Sequence, residues 1–232
     1  MKILAIDTSS KICSVSILED KNLIIEKNSN DEKTHSQKLL PLIKEVFDTV
    51  GITLEDINLI ACCIGPGSFT GIRIGVSTIK AFADAKNIPV IGITSLESLA
   101  YNILTPGYIV SLIDAKNDNV YFSLHKLDES GKYTLVMNYL ADNINNIITI
   151  LNTYSNEILH FVGDGSITHK DLITTNFNKA IFAKDSENLQ NSISVAKAGF
   201  DKYNLGLAGD TNTLSPIYLK KSQAERALDG EK

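Results

Sequence analysis

Three sets of residues in this chain of 232 have types and spacings that invite chemistry. The first is the run Gly65-Pro66-Gly67-Ser68-Phe69-Thr70-Gly71-Ile72-Arg73-Ile74-Gly75. A P-loop would close on Gly-Lys-Ser/Thr, whereas Gly71 is followed by Ile72-Arg73; a dinucleotide fingerprint counted from Gly65 and Gly67 needs glycine where Thr70 stands. What remains is Gly67, Gly71 and Gly75 at intervals of four, a ridge without side chains along the first turns of a helix capped by Ser68. Gly71 and Gly75 together cost that helix about 2 kcal/mol relative to alanine, so something must gain from close approach: the protein's own sheet, a partner helix or a ligand. The second set is Asp7 and Asp114, each closing an apolar run and opening a polar turn. Consecutive turn amides form an anion-binding nest, and carboxylates position magnesium. Asp7-Thr8-Ser9 and Asp114 therefore read either as phosphate and metal loops or as acids that cap their own turns, and the first turn lacks the glycine that phosphate-binding hairpins of this kind carry. The third set yields less. His35, His125, His160 and His169 have no metal-ligand spacing, no Ser, His, Asp set assembles from local sequence, and Cys13 with the neighbours Cys62 and Cys63 reads as reduced, buried thiols.

These residues need elements to hold them. Ile3 to Ile6 is a short apolar run ending at Asp7, Cys13, Val15 and Ile17 alternate with serines, and Leu23-Ile24-Ile25 follows a polar turn: three strands. From about Gln37 the positions Leu39, Ile43, Val46, Phe47 and Val50 have helical spacing, with Pro41 near the first turn and Gly51 at the end. Ile57 to Ile64 reads as a buried strand. A helix from Phe69 to about Ala85 buries Ile72, Val76, Ile79 and Ala83. A strand Val90 to Ile93 and a short helix capped by Thr94 and ending near Asn102 follow. Thr105-Pro106-Gly107 breaks the chain. After it the pattern restarts: placing Asp114 under Asp7 aligns Leu4–Ile17 with Ser111–Leu124, apolar strand, Asp, polar turn, strand. A strand from Tyr133 to Val136, a helix from Ala141 to Leu151 and a strand from Ile158 to Val162 then run into Gly163-Asp164-Gly165-Ser166, as Ile60 to Ile64 ran into Gly65-Pro66-Gly67-Ser68. From Asp to the first Gly is 58 residues in one half and 49 in the other, a difference that one shorter helix and loop absorb. The expectation is an α/β chain with a duplicated βββαβ unit, in lobes 1–104 and 105–232, the latter ending in a basic helical tail, Lys220 to Arg226. That is the plan of the two-lobed actin, Hsp70 and sugar-kinase architecture.

Composition fits this. Hydrophobic residues make up 44% and charged residues 21%, a globular balance that excludes collagen, coiled coil and wholesale disorder. No apolar run approaches the roughly 20 residues that span a bilayer, so no membrane role and a cytoplasmic location are expected. The formal charge of -5 has the wrong sign for a chain that neutralises many phosphates by itself, so any nucleic-acid contact falls mainly to another subunit.

The glycine run, Asp7-Thr8-Ser9 with Ser14-Val15-Ser16-Ile17, His35-Ser36-Gln37-Lys38-Leu39-Leu40-Pro41, and Pro216-Ile217-Tyr218-Leu219-Lys220 closely resemble the TsaB (YeaZ-like) family, from residue 1 to about 226. That family is the non-catalytic subunit of the bacterial machinery that makes threonylcarbamoyladenosine beside the tRNA anticodon, and a paralogue of the catalytic TsaD. In TsaD a helix carries two metal-binding histidines four residues apart; in the matching stretch Ile93–Leu99 those positions hold Ser95 and Leu99. The resemblance implies no catalytic residue and no metal, and no cofactor in the isolated chain, with ATP and magnesium entering only with the complex. It implies vestigial phosphate-loop residues Asp7, Thr8, Ser9 and Asp114. It also implies pairing with a TsaD-like subunit through Leu39, Ile43, Phe47, Phe69, Gly71, Ile72, Gly75 and Val76, docking of a TsaE-like ATPase, contact with tRNA through the complex, and a homodimer when alone. Two other readings stay open: a stand-alone peptidase of the glycoprotease-like family, which needs a metal or nucleophile, and a small-molecule kinase of the same architecture, which would use Asp7 and Asp114.

Overall fold

The computed structural model describes residues 1–220; most of the basic tail, from 221 on, lies outside them. The chain forms two compact units, Met1–Asn102 with Leu189–Pro216, and Ile103–Asn188 continuing from Ile217. The sequence put everything after residue 104 in one lobe, but the chain returns to the first unit at Leu189.

In the first unit β1 (Lys2–Asp7), β2 (Cys13–Glu19) and β3 (Asn22–Ser29) form an antiparallel meander. Helix α1 (His35–Val50) leads to β4 (Leu59–Cys63), parallel to β1, and α2 (Phe69–Lys86) leads to β5 (Val90–Ile93). The sheet order is β3-β2-β1-β4-β5. Alternation along β1 decides what each face meets. Leu4 and Ile6 join Leu39, Ile43, Val46, Ile72, Val76 and Ile79 of α1 and α2 in one core, whereas the opposite face sets the small residues Ala5, Ser14, Ser16 and Ala61 beside the buried Ile3, Leu18 and Leu59. There Ser14 Oγ lies 2.7 Å from Ser192 Oγ. The helix α3 (Ser95–Ala100) closes the first pass of the chain.

The second unit repeats this. β6 (Gly107–Asp114), β7 (Asn119–Leu127) and β8 (Tyr133–Asn143) form a meander, α4 (Ile144–Leu151) leads to β9 (Leu159–Val162), and α5 (Asp164–Thr168) and α6 (Lys170–Asn176) lead to β10 (Ala180–Phe182). The order β10-β9-β6-β7-β8 is the first sheet's order read from the other edge. Gly65 and Gly163, each following the fourth strand of its unit, share φ 98°, a left-handed conformation that favours glycine. Apolar residues of α4 and α6 (Ile144, Ile147, Ile148, Ile173) cover Val110, Leu112, Phe122 and Phe161.

Among the differences from the sequence reading are two boundaries and one helix. Helix α1 starts at His35 rather than Gln37, because the Gln37 side chain turns back to accept from the Thr34 amide at 3.1 Å. β8 runs to Asn143, through residues read as the start of a helix: as the edge strand it is half exposed and shows no clean alternation. Helix α7 (Ser192–Asn204) was not read from the sequence, since apart from Val195 its buried residues, Ser192, Ser194, Ala196, Ala198 and Gly199, are small and carry little apolar signal. Those small side chains let it lie close on the first sheet, with Gly199 against the Ala61 methyl. Among the described residues, no helix is long and apolar enough to cross a membrane.

Candidate functional site

The glycine ridge meets the turn between β1 and β2. The Thr8 hydroxyl donates to the Gly71 carbonyl at 2.8 Å, and the Ser68 amide donates to the Ser9 carbonyl at 2.7 Å. A Cβ at Gly67 would overlap the Ser9 carbonyl oxygen, one at Gly71 the Thr8 carbonyl oxygen, and one at Gly75 the Thr8 hydroxyl. Ser68 caps the helix, its Oγ accepting from the Gly71 amide at 3.2 Å. His35 at the start of α1 completes the junction. Its Nε2 lies 2.8 Å from the Ser10 carbonyl oxygen, and its Cδ2 2.8 Å from where a Gly71 Cβ would stand.

Most of the expected pairing residues are turned inward. Leu39, Ile43, Ile72 and Val76 are buried in the first unit's core, Phe47 packs against that core, and Gly71 and Gly75 face the chain's own Thr8. The physical reason is that the apolar stripe of a helix on a sheet is the stripe the sheet takes, leaving any partner the opposite side. Of the expected set Phe69, 38% exposed, is the residue that faces outward most, and Phe47 is half-buried. The outward face has Leu40, 53% exposed, with Pro41 and Lys44 on α1, and Phe69, Arg73 and Ser77 on α2. The Arg73 guanidinium lies 3.8 Å over the Phe69 ring. The available signal was an exposed Leu40 one position off the buried stripe, beside Pro41.

The two aspartates are engaged differently. Asp7 is 1% exposed, and its Oδ1 accepts from the Ser9 amide at 2.8 Å and the Ser9 hydroxyl at 2.6 Å. Burial raises its carboxyl above the usual aspartate value, against the pull of both Ser9 bonds and of the Cys63 thiol beside it. Asp114 accepts from the Lys116 amide at 2.8 Å and the Lys116 ammonium at 2.6 Å. Partial burial pushes its carboxyl up, but the two Lys116 bonds outweigh that and leave it lowered. The Asp164 carboxylate accepts from the Asp114 amide at 2.9 Å, joining the second hairpin to the second Gly-Asp-Gly turn. Burial also raises the Cys62 and Cys63 thiols and lifts Cys13 to about 11, and all three cysteines are free and buried.

The turn after β5 carries no ligating pair. The Ser95 hydroxyl donates to the Pro66 carbonyl at 2.6 Å and its amide to the Gly65 carbonyl at 2.9 Å, tying α3 to the glycine loop. Leu99 is fully buried. Glu97 pairs with Lys202 of α7 at 2.7 Å. Among the described residues, no group of three or more His, Cys, Asp or Glu is placed to hold a metal ion.

Comparison with known proteins adds to this geometry. The family model for TsaD, tRNA N6-adenosine threonylcarbamoyltransferase, matches residues 25–228. The tRNA threonylcarbamoyladenosine biosynthesis protein TsaB of Bacillus subtilis is 29% identical over 97% of this chain and 96% of its own length. The Escherichia coli TsaB is 35% identical over 56% of this chain, a stretch that spans 58% of that protein. The solved structure of YeaZ from Pseudomonas aeruginosa superposes with TM-score 0.75 at 24% identity, over 94% of this chain and 99% of that one. A ROK hexokinase from Thermus thermophilus superposes with TM-score 0.51 at 8% identity, over 89% of this chain and 100% of that one, so the fold is the actin, Hsp70 and sugar-kinase architecture. The chain belongs to the TsaD family, among its TsaB and YeaZ-like members.

Proposed function

We propose that this chain is the non-catalytic subunit that tRNA threonylcarbamoyladenosine formation requires, pairing with a TsaD-type catalytic subunit through the outward face of α1 and α2. The observation that carries the reading is the turn after β5. Where the catalytic relative carries two metal-binding histidines, this chain has Ser95, committed to the glycine loop, and Leu99, buried in the core. Among the described residues no other group is placed to hold such a metal, so transfer to the adenosine amine is assigned to the partner.

The residues present do not fit the magnesium nucleotide that the architecture binds elsewhere. Asp7 is sealed from solvent and takes for itself the Ser9 amide that a phosphate nest would offer, and Asp114 is neutralised by Lys116. ATP and magnesium then enter with the other subunits, a TsaE-type ATPase among them. Leu40, Phe69 and Arg73 are the anchors of the pairing face. The same face supports a homodimer when the partner is missing, and the net charge of -5 leaves most tRNA contact to other subunits in the cytoplasm.

The test is reconstitution: the host's TsaD-type subunit, TsaE-type ATPase, threonylcarbamoyl-adenylate and tRNA, with and without this chain. Co-elution with the catalytic subunit and modified adenosine only when the chain is present are expected. Equal product yield without it would overturn the proposal. Isothermal titration of the isolated chain with Mg-ATP is expected to show no micromolar binding, and such binding would restore the kinase reading.

A further inference from the structure

We propose that His35 is a positioning residue that sets how α1 and α2 stand relative to each other, and through them the geometry of the pairing face. This rests on the pairing proposed above. His35 is the first residue of α1, yet its contacts belong to other elements. Its Nε2 lies 2.8 Å from the carbonyl oxygen of Ser10, in the turn after β1, and its Cδ2 approaches Gly71, in the first turn of α2. A carbonyl only accepts, so Nε2 is the donor to Ser10; Nδ1 is buried without a hydrogen-bond partner. One planar ring therefore links the start of α1, the β1–β2 turn and the start of α2.

The consequence for the outward face follows from helix geometry. At 3.6 residues per turn, Phe69 and Arg73, two positions either side of Gly71, project from the side of α2 away from Gly71. A fixed contact at Gly71 thus sets the rotation of α2, and with it where Phe69 and Arg73 stand. On α1 the Ser10 bond holds the first turn, and Leu40 projects from the next turn, five residues on. The bond from Thr8 to the Gly71 carbonyl anchors α2 to the turn but touches nothing of α1. Of these two side chains His35 is the one that touches the starts of both helices, which is why their relative placement at that end is sensitive to it.

The experiment uses the full chain with His35→Ala, His35→Gln, which keeps an amide donor for Ser10, and Ile148→Val in the second unit's core as a stability control. Two readouts are taken: the Kd for the TsaD-type subunit, and hydrogen exchange of the Lys38–Leu40 and Ile72–Ile74 amides in the isolated chain. His35→Ala is expected to weaken pairing by about tenfold or more and to speed exchange in both helix starts. His35→Gln should recover to within about threefold of the unsubstituted chain, and Ile148→Val should lower the melting temperature with no change in Kd. Unchanged exchange in His35→Ala, or pairing as tight as in the unsubstituted chain, overturns the proposal. If the unsubstituted chain does not pair at all while His35→Ala still speeds exchange, the placement by His35 stands and the pairing reading falls.

Discussion

Replacing Gly71 by alanine separates the two meanings of the glycine ridge by the sign of the effect. In a helix whose glycines are open to a partner, Gly71→Ala stabilises the isolated chain by about 1 kcal/mol, the propensity difference between the two residues. Here the new methyl falls on the Thr8 carbonyl oxygen and crowds the His35 ring. The carbonyl is backbone, one residue past the Asp7–Ser14 pair that ends the β1–β2 ladder, so it yields mainly by moving the turn or tilting α2. Overpacking of this kind costs about 1–3 kcal/mol, and contact with a fixed backbone atom belongs at the upper end. Set against the propensity gain, the net loss is about 2 kcal/mol, or about 4–8 °C in melting temperature for a chain of this size. Differential scanning calorimetry of the full chain, read for the transition of the first unit, measures it. An unchanged or raised melting temperature would refute the close packing of α2 on the turn.

Charge reversal on the outward face, Leu40→Asp with Arg73→Glu, is expected to leave the melting temperature within about 0.5 kcal/mol of the starting chain, as exposed substitutions do, while abolishing co-elution with the catalytic subunit in size-exclusion chromatography. Asp7 gives a pH dependence. Its carboxyl is raised by burial, so between the unfolded value and the folded one the native state holds the extra proton. Stability is then full below the unfolded value and falls as pH rises through the folded one. Melting temperature against pH should fall more steeply for the unsubstituted chain than for Asp7→Asn, and parallel curves would contradict the assignment. Lys202→Met strands the Glu97 carboxylate, whose side chain is 11% exposed. A loss of about 2 kcal/mol is expected in thermal denaturation, less than for a fully buried pair because Lys202 reaches water. The double variant with Glu97→Gln should recover most of it.

The repeated plan was legible in the sequence because strand and turn signals are local. An apolar run stopped by Asp7 and another by Asp114, with a Gly-x-Gly-Ser turn after the fourth strand of each half, were enough to align the two units, and the structure gives them one strand order. The direction of each helix face was not legible. Leu39, Ile43, Ile72 and Val76 have the spacing of any buried stripe, and nothing local distinguishes a stripe covered by the chain's own sheet from one awaiting a partner. The small-residue helix α7 was invisible for a related reason: serine, alanine and glycine become a packing surface only when Ser14 and Ala61 lie opposite.

By itself the sequence determined the α/β class, the duplication and the presence of a ridge that must touch something. Only the tertiary structure decided what the ridge touches. Gly71 and Gly75 lie more than sixty positions from Thr8 along the chain, and their partner is set by the parallel pairing of β1 with β4. That pairing brings the start of α2 down onto the first turn, turns the apolar faces of both helices inward, and leaves Leu40, Phe69 and Arg73 outside.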